Sequence, residues 1–369
     1  MASLKPLEFK WGIIATGRIS GDFVKDLLVD PKTRDVHDVT HKVVAVGSRS
    51  VDSAHKFIDR YIGGDKSVNA YGSYQGVYSD PTVDAIYIGT PHTHHYENAR
   101  DGILAGKHVL CEKPATSNAA ELRALLQLAQ EHKVFFMEAL WTRFQPLTRE
   151  VRKIADSGVL GEPVLMHADL AFDADIENLP TTHRMLDPKL GGGALLDLGP
   201  YPMIWAIVGL YEHPSNSGAG PSSISGAMVK TPITGVDSAT SWTLTFAKSG
   251  MQAQANLSVS MVIPSNEPGV TIRYRKGVIK VASPIFCPKS FTVEYFDDSG
   301  KVWKEEKRNY EYVGSGWHFQ ADEVARCVRE GKLQSGLWGW DKSLLEMETF
   351  DEVRKQGGYV FPPGVEKVV

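Results

Sequence analysis

A Glu-Lys pair and a tyrosine are the residues of this sequence best suited to proton transfer. Glu112 and Lys113 directly follow the apolar run HVLC, and a proline comes next. Asp197 and Tyr201 stand four residues apart, so they share one face if a helix begins there. An ammonium beside a phenol lowers the phenol pKa from about 10, which lets it accept a proton from an alcohol being oxidised. A solvated Glu-Lys pair and a glycine-rich turn that buries a tyrosine are alternative interpretations.

A loop of small residues between the first apolar run and the first helical pattern suits a pyrophosphate. The segment GIIATGRI places Gly12, Ala15 and Gly17 in a G-x-x-A-x-G pattern. Small residues let the backbone approach an anion, and the following helix N-terminus offers unpaired N–H groups. Ala15 stands where glycine is usual, so a tight turn without a ligand explains this motif alone equally well.

The residues after the second apolar run indicate which cofactor the loop would hold. A carboxylate there would bind the adenosine ribose and favour NAD. The sequence has Ser48 and Arg49 instead, so a guanidinium is available for a 2′-phosphate. We therefore predict NADP, with a solvated surface arginine as the alternative. The spacing from Gly17 exceeds the usual distance of about 20 residues, and an inserted loop at 30–41 accounts for the excess.

The elements that must position these residues follow from periodicity. Apolar runs at 9–16, 42–48, 85–90, 108–113 and 134–139 alternate with helical patterns, which predicts a doubly wound parallel sheet of the Rossmann type. Ligands of such sheets bind at the carboxyl ends of the strands, where Glu112 and Lys113 stand. Three histidines in TPHTHHYENA fall at the same edge. No carboxylate or cysteine completes a ligand set with them, so no metal is expected.

The second half of the chain has a different period. Residues 237–248 and 251–261 alternate apolar with polar side chains, which predicts a large open, mainly antiparallel sheet with one packed face. We expect helices at 147–158, 318–332 and 341–356. The predicted organisation is an NADP-binding domain at 1–140 and an α+β substrate-binding and dimerisation domain at 141–369. The exposed face of an open sheet needs cover, so a homodimer through that face is expected.

Composition excludes several other classes of protein. The formal net charge of −4 provides neither a basic face for nucleic acid nor a polybasic membrane patch. The N-terminal residues have no apolar segment of signal-peptide length, and the longest apolar run, at 203–211, is too short to span a bilayer. Three cysteines without metal spacing are typical of a reducing compartment, so a cytoplasmic location is expected.

Four segments, in order along the chain, resemble the glucose–fructose oxidoreductase/inositol dehydrogenase (Gfo/Idh/MocA) family. They are GIIATGRI, TPHTHHYENA, AGKHVLCEKP and GGGALLDLG. Two more, MEALWTRFQP and LDLGPY, resemble the branch that contains dimeric dihydrodiol dehydrogenase and the fungal NADP-dependent D-xylose 1-dehydrogenases. The joint occurrence of these segments is far more specific than any one of them.

The resemblance implies roles for individual residues. Lys113 and Tyr201 would be the catalytic pair, with Tyr201 standing where many members of the family have histidine. Asp197 would orient the substrate, and His95 and Glu112 would shape the nicotinamide side. The expected substrate contacts are Lys113, Trp141, Arg143, Asp197 and Tyr201. The expected cofactor contacts are Gly12, Ile14, Ala15, Thr16, Gly17, Arg18, Ile19, Ser48, Arg49, Ser50, Thr90, His92, His95, Glu112 and Lys113.

The expected reaction is oxidation of the anomeric C1 hydroxyl of D-xylose and related aldoses to the lactone, with hydride transfer to NADP. The closest alternative is a trans-1,2-dihydrobenzene-1,2-diol dehydrogenase, which would use the same residues on a more apolar substrate. A nicotinamide-dependent glycosidase and a non-catalytic NADP-binding regulator are alternatives from other classes.

Overall fold

The computed structural model describes residues 6–369, which form two compact units. Of the described residues, the first contains 6–141, together with Tyr312–Leu344 and Glu366–Val369. The second contains Thr142–Glu311 and Leu345–Val365. The division into domains at 1–140 and 141–369 stays a prediction. Residues 1–5, on which part of the signal-peptide expectation falls, lie outside the described residues.

The first unit contains a six-stranded sheet in the order β3-β2-β1-β4-β5-β6, with every neighbouring pair parallel. Its strands are β1 (Leu7–Ile14), β2 (Val39–Gly47), β3 (Asn69–Tyr71), β4 (Ala85–Ile88), β5 (His108–Cys111) and β6 (Phe136–Glu138). The predicted doubly wound sheet is confirmed, and the order reverses at the β1/β4 junction, where such folds bind their ligands. Sequence analysis missed β3, a short strand without a fully buried residue.

Helices connect these strands and cover the sheet. They are α1 (Arg18–Leu27), α2 (Val51–Tyr61), α3 (Tyr74–Tyr78), α4 (His95–Leu104), α5 (Ala119–His132) and, from the returning chain, α9 (Trp317–Arg329). The inserted loop contains one turn of 3₁₀ helix at Pro31–Arg34. The Arg34 guanidinium binds both carboxylate oxygens of Asp322 on α9 at 2.8 Å, so this loop is fastened to α9.

The second unit contains an eight-stranded sheet in the order β14-β13-β12-β11-β7-β10-β9-β8. Its strands are β7 (Pro163–Ala171), β8 (Ser223–Lys230), β9 (Asp237–Phe246), β10 (Ala253–Ser260), β11 (Val270–Tyr274), β12 (Gly277–Val281), β13 (Ser290–Phe296) and β14 (Val302–Asn309). Every pair is antiparallel except β7 with β10, so the predicted mainly antiparallel sheet is confirmed.

The strands β9 and β10 have one packed and one open face. Trp242, Leu244 and Phe246 are buried on the packed face, while Ser241 is exposed and Thr243 half-buried on the other. Trp242 contacts Phe350 edge to face, at a centroid distance of 6.1 Å. The helices of the unit are α6 (Pro146–Asp156), α7 (Ala194–Leu198), α8 (Pro200–Ala206) and the part of α10 (Trp340–Gln356) from residue 345 onward.

One helical stretch, Pro188–Tyr211, is long and apolar enough to cross a membrane by length and composition. This stretch is longer than the apolar run at 203–211 because several short helices follow one another directly along the chain. Its most apolar window is 94% buried inside the protein, as in core helices that pass the same test.

Candidate active site

The loop between β1 and α1 has the form of an anion site. Gly17 caps α1 without a side-chain hydrogen bond, and the first turn of α1 contains no acidic residue. A Cβ atom at Gly17 would meet nothing within 4 Å, so there is room for a ligand against the backbone. A Cβ atom at Gly12 would lie 2.5 Å from Val77 Cγ1, so this glycine is required by packing. The N–H groups of α1 therefore suit a phosphate.

Ala15 adopts a left-handed backbone conformation, with φ of 77°. Its N–H donates to the Gly47 carbonyl at 3.1 Å, which joins the loop to the end of β2. Beyond β2, the Ser48 hydroxyl lies 3.0 Å from that of Thr16. Arg49 is exposed there. This donor set contains no carboxylate between residues 48 and 50, so it fits a phosphorylated ribose.

Glu112 is buried directly beyond β5. The Tyr87 hydroxyl donates to one of its carboxylate oxygens at 2.7 Å, and the Lys113 backbone N–H faces the other at 3.3 Å. Burial raises the pKa of Glu112 to about 7, and these bonds and the Lys113 charge oppose that rise. Glu112 therefore changes charge near neutral pH, one residue before the proposed catalytic lysine.

His95 and Glu138 hold the backbone that follows Lys113. Each ring nitrogen of His95 lies 2.9 Å from a carbonyl oxygen, one of Thr90 and one of Pro114. Burial lowers the pKa of His95 to about 4, so the ring is neutral near pH 7 and donates to only one of the two carbonyls. The Ala115 N–H donates to Glu138 at 2.9 Å.

Sequence analysis did not identify Glu138 as a site residue. Its second carboxylate oxygen accepts from the Ser343 hydroxyl at 2.6 Å and from the Trp338 indole at 3.3 Å. A carboxylate that ends the apolar run VFFME was the available signal, because charged residues are almost never fully buried without partners. The Lys113-Pro114 peptide bond, which directly precedes the backbone groups held by His95 and Glu138, is cis.

In the second unit, Asp197 lies on α7 and Tyr201 in the first turn of α8. Gly199 separates the two short helices but keeps helical dihedral angles, so the four-residue spacing is that of one helical turn. An Arg184 nitrogen lies 3.0 Å from the Asp197 carboxylate. The Tyr201 ring is largely buried, with its centroid 5.5 Å from that of Phe286.

The start of α7 is fixed by Asp237, a second residue that sequence analysis missed. The Leu195 N–H donates to the Asp237 carboxylate at 2.8 Å, and a Cβ atom at Gly193 would collide with that carboxylate. Gly193 also has φ of 126°, which L side chains rarely adopt. The glycines of GGGALLDLG therefore bring a buried carboxylate against the helix that carries Asp197.

Trp141 and Arg143, two of the five residues expected to contact the substrate, have partners within their own units. Trp141 is stacked on Trp317, with ring centroids 4.2 Å apart and planes inclined by 16°. Arg143 is buried, and its guanidinium lies 3.2 Å from Glu212. Burial lowers the pKa of Arg143, and the Glu212 charge opposes that shift. Within residues 6–369 no group of three His, Cys, Asp or Glu side chains is arranged to hold a metal ion.

Comparison with known proteins decides the family. Residues 9–140 match the model of an oxidoreductase family with an NAD-binding Rossmann fold, and residues 148–280 match the GFO/IDH/MocA C-terminal domain. The chain belongs to the Gfo/Idh/MocA oxidoreductase family. The resemblance noted in its sequence is confirmed.

Relatives in this family match nearly the whole chain. A D-xylose 1-dehydrogenase (NADP(+)) from Hypocrea jecorina is 37% identical, over 98% of this chain and 95% of its own. A trans-1,2-dihydrobenzene-1,2-diol dehydrogenase from Danio rerio is 33% identical, over 96% of this chain and 98% of its own. The crystal structure of an aldose-aldose oxidoreductase from Caulobacter crescentus covers 95% of this chain and 98% of its own, with a TM-score of 0.78 at 19% identity, which shows a shared fold.

The predicted cofactor contacts of this family member lie at one edge of the parallel sheet. They begin at the last residue of β1 or follow β2, β4 and β5, and they are Ile14 to Ile19, Ser48 to Ser50, Thr90, His92, His95, Glu112 and Lys113. Gly12 lies within β1, where it packs against the side chain of Val77. The roles assigned to these residues, and to Trp141, Arg143, Asp197 and Tyr201, stay predictions.

Proposed function

We propose that the protein is an NADP-dependent sugar dehydrogenase that oxidises the C1 hydroxyl of D-xylose and related aldoses to the lactone. The observation that carries this proposal is the 37% identity, along 98% of the chain, with a D-xylose 1-dehydrogenase (NADP(+)). Lys113 and Tyr201 stand in the motifs from which the family resemblance assigns the catalytic pair.

The cofactor NADP is supported by the chain's own donor set. The unpaired N–H groups at the start of α1 suit the pyrophosphate, and Ser48, Arg49 and Ser50 suit the 2′-phosphate. When bound, the nicotinamide ring supplies the hydride acceptor. The proposed task of His95 and Glu138 is to hold the backbone beside Lys113 through the contacts with the Pro114 carbonyl and the Ala115 N–H.

The protein's own part in the reaction is proton transfer. Tyr201 accepts the proton of the C1 hydroxyl as the C1–H bond breaks, and the ammonium of Lys113 stabilises the developing negative charge on oxygen. Asp197, held by Arg184, orients the sugar. The lactone that forms hydrolyses to the aldonic acid.

The test uses Lys113→Met and Tyr201→Phe, assayed by nicotinamide absorbance with NADP and D-xylose. We expect kcat to fall by about 10² to 10⁴ in each variant, the usual contribution of a positioned acid–base group, while NADP still binds. The matched control is Tyr274→Phe, which removes a buried phenolic hydroxyl from β11. Full activity in both site variants would refute the assigned roles.

A diol dehydrogenase is the second candidate, favoured by the 33% identity with the Danio rerio enzyme. Turnover of a cyclic trans-diol without turnover of pentoses or hexoses would select it. A nicotinamide-dependent glycosidase would retain its cofactor through purification, and a regulator would turn over none of these substrates.

A homodimer through the open face of the eight-stranded sheet forms part of the proposal. A groove of about 720 Å³ crosses that face, with Ser241, Thr243, Asn256 and Ser258 among its lining residues. Hydroxyl and amide groups of this kind suit a hydrogen-bonded, wet interface. Mass measurement in solution should give twice the chain mass, and Asn256→Arg should give the monomer. A monomeric wild type would exclude the dimer.

We also infer a cytoplasmic location, because three cysteines without metal spacing or a CxxC pair are typical of a reducing compartment. Microscopy of a fluorescent fusion tests this, and accumulation in a secretory compartment would contradict it.

A further inference from the structure

Trp317 forms an aromatic pair with Trp141, the residue expected at the substrate. The rings are stacked at 4.2 Å, although 176 positions separate the two residues in the sequence. Trp141 follows β6 at the ligand edge of the parallel sheet and is 3% exposed. Trp317 begins α9 and is only partly buried. The chain returns to the first unit at α9, where the Trp317 indole covers Trp141. Part of the Trp317 side chain remains accessible to solvent.

The Trp317 indole N–H is shielded from solvent and has no acceptor among the described residues. Buried tryptophan N–H groups usually find a hydrogen-bond partner, because a donor removed from water without one is costly. A buried donor without an acceptor, next to a residue expected to contact the substrate, is therefore a candidate to bind an oxygen of the ligand.

Asp26 on α1, the helix that begins at the anion site, holds the backbone at Trp317. The carboxylate of Asp26, in the last turn of α1, accepts the backbone N–H groups of Ser315, Gly316 and Trp317 at 3.0 Å or less. A Cβ atom at Gly314 would lie 2.5 Å from an Asp26 oxygen, so the approach requires glycine there. The helix whose start forms the anion site thus holds the indole at its other end.

We propose that Trp317 is a substrate-binding residue whose indole N–H donates to a hydroxyl oxygen of the sugar, with Asp26 as its positioning residue. This proposal rests on the proposed function. A sugar offers several such acceptors next to an aliphatic C–H surface that can lie against an indole. The residue would therefore favour polyhydroxylated substrates over apolar ones.

Trp317→Phe tests the hydrogen bond, because it keeps a ring against Trp141 and removes the N–H. At saturating NADP we expect KM for D-xylose to rise about three- to tenfold, the range of one neutral hydrogen bond, with KM for NADP changed by less than about twofold. Trp242→Phe is the matched control, since Trp242 also has an indole N–H without a described acceptor, in the core of the second unit. Unchanged KM for D-xylose in the folded Trp317→Phe variant would overturn the proposal.

Assays of the wild type with pentoses, hexoses and a cyclic trans-diol separate the failure of this proposal from the failure of the proposed function. If the wild type oxidises only the trans-diol, the xylose assignment fails. The variant is then assayed on the diol, whose hydroxyl oxygens offer the same acceptor. A raised KM for the diol supports the role of Trp317, and an unchanged one refutes it.

Asp26→Asn tests the positioning role, because the amide replaces one accepting oxygen with a donor. We expect a raised KM for D-xylose in the wild-type background and no further rise in the Trp317→Phe background, since Asp26 acts through Trp317. An equal rise in both backgrounds, or a lower Tm with KM unchanged, would show that Asp26 is structural only.

Discussion

The strands β4 and β5 of the parallel sheet are mainly apolar and almost wholly buried, and the charged residues Glu112 and Lys113 follow directly after the end of β5. The strands β9 and β10 of the eight-stranded sheet alternate instead, with polar side chains at every second residue from Ser241 to Thr245 and from Gln254 to Ser258, on the open face. A charge at the end of a strand in the first unit therefore lies among buried groups. A charge on the open face of the second lies in water.

One set of charged residues from each unit shows this difference in exposure to solvent. Arg34 and Asp322 in the first unit are 2% and 3% exposed. Burial raises the pKa of Asp322, but hydrogen bonds from Arg34 and His41 outweigh it and hold the pKa below its usual value. In the second unit, Lys304 and Arg308 lower the pKa of Glu306 to about 2, yet all three side chains remain in contact with solvent. Only the buried pair, Arg34 with Asp322, is expected to change the free energy of unfolding measurably when it is broken.

The largest expected effect comes from breaking the buried pair. Arg34→Met leaves the Asp322 carboxylate buried without its bidentate partner, so we expect the free energy of unfolding to fall by about 3–5 kcal/mol. Urea unfolding followed by circular dichroism measures it. Lys304→Ala is the matched control in the exposed set, and its unfolding midpoint should stay within error of the wild type.

The double variant Arg34→Met/Asp322→Leu distinguishes a lost attraction from an uncompensated charge. Because it removes the buried carboxylate as well, it should recover much of the lost stability. Equal stability of the Arg34→Met variant and the wild type would show that the two regions treat ion pairs alike.

The next effect concerns Glu112, whose pKa is about 7 in the folded protein against an ordinary value of 4.5. The folded state keeps a proton that the unfolded state releases above pH 4.5, so this group's stabilisation is present at low pH. It is lost as pH rises to 7, by about 3 kcal/mol in all. Unfolding free energies of the wild type and Glu112→Gln, measured between pH 4.5 and 8, should diverge accordingly.

His95 supplies a control of opposite sign. Its pKa falls from 6.5 to about 4, so its stabilisation is present above pH 6.5 and is lost as pH falls towards 4. His95→Gln should therefore reduce the acid sensitivity of stability. Parallel curves for the wild type and the Glu112→Gln variant would show that the edge of the parallel sheet is as solvated as the open face.

Much of the parallel sheet could be predicted, because buried strands flanked by helices leave a strong pattern in the sequence. The strand β3 could not, since its three residues carry no apolar run. In the second unit β9 and β10 were predicted from their alternation, while β14 is exposed along most of its length and has no packed face that a sequence pattern would show. Edge strands gain their structure from a neighbour, which a single sequence does not show.

A third prediction tests the cofactor edge through Arg49. Arg49→Ala should lower kcat/KM for NADP by about 10- to 100-fold, the range of one or two charge-assisted hydrogen bonds, and leave the value for NAD nearly unchanged. Steady-state assays with both cofactors measure this. Arg60→Ala, in the last turn of α2, is the control for charge alone. An equal loss of kcat/KM with both cofactors would show that Arg49 does not bind the 2′-phosphate.

As with the strands, some candidate site residues could be predicted from a local sequence pattern and others could not. Lys113, Tyr201 and the glycine loop were predicted from motifs that lie in continuous segments, and their roles stay predictions. Glu138, Asp237 and Asp26 were not found, because each acts on backbone N–H groups supplied by another segment. Such contacts are set by tertiary packing, and a buried carboxylate in an apolar run is the only local trace they leave.

The smallest expected effect separates conformation from ligand contact in the anion loop. Ala15 has φ of 77°, which costs an L residue about 1–2 kcal/mol, while glycine loses more entropy on folding. Ala15→Gly should therefore raise the free energy of unfolding by only about 0.5–1 kcal/mol and leave the NADP affinity unchanged. Gly17→Ala is the complement: φ is −75° and the space is open, so stability should hold while NADP binding weakens. The opposite pattern, with weaker binding in Ala15→Gly only, would place the anion against residue 15 rather than against the start of α1.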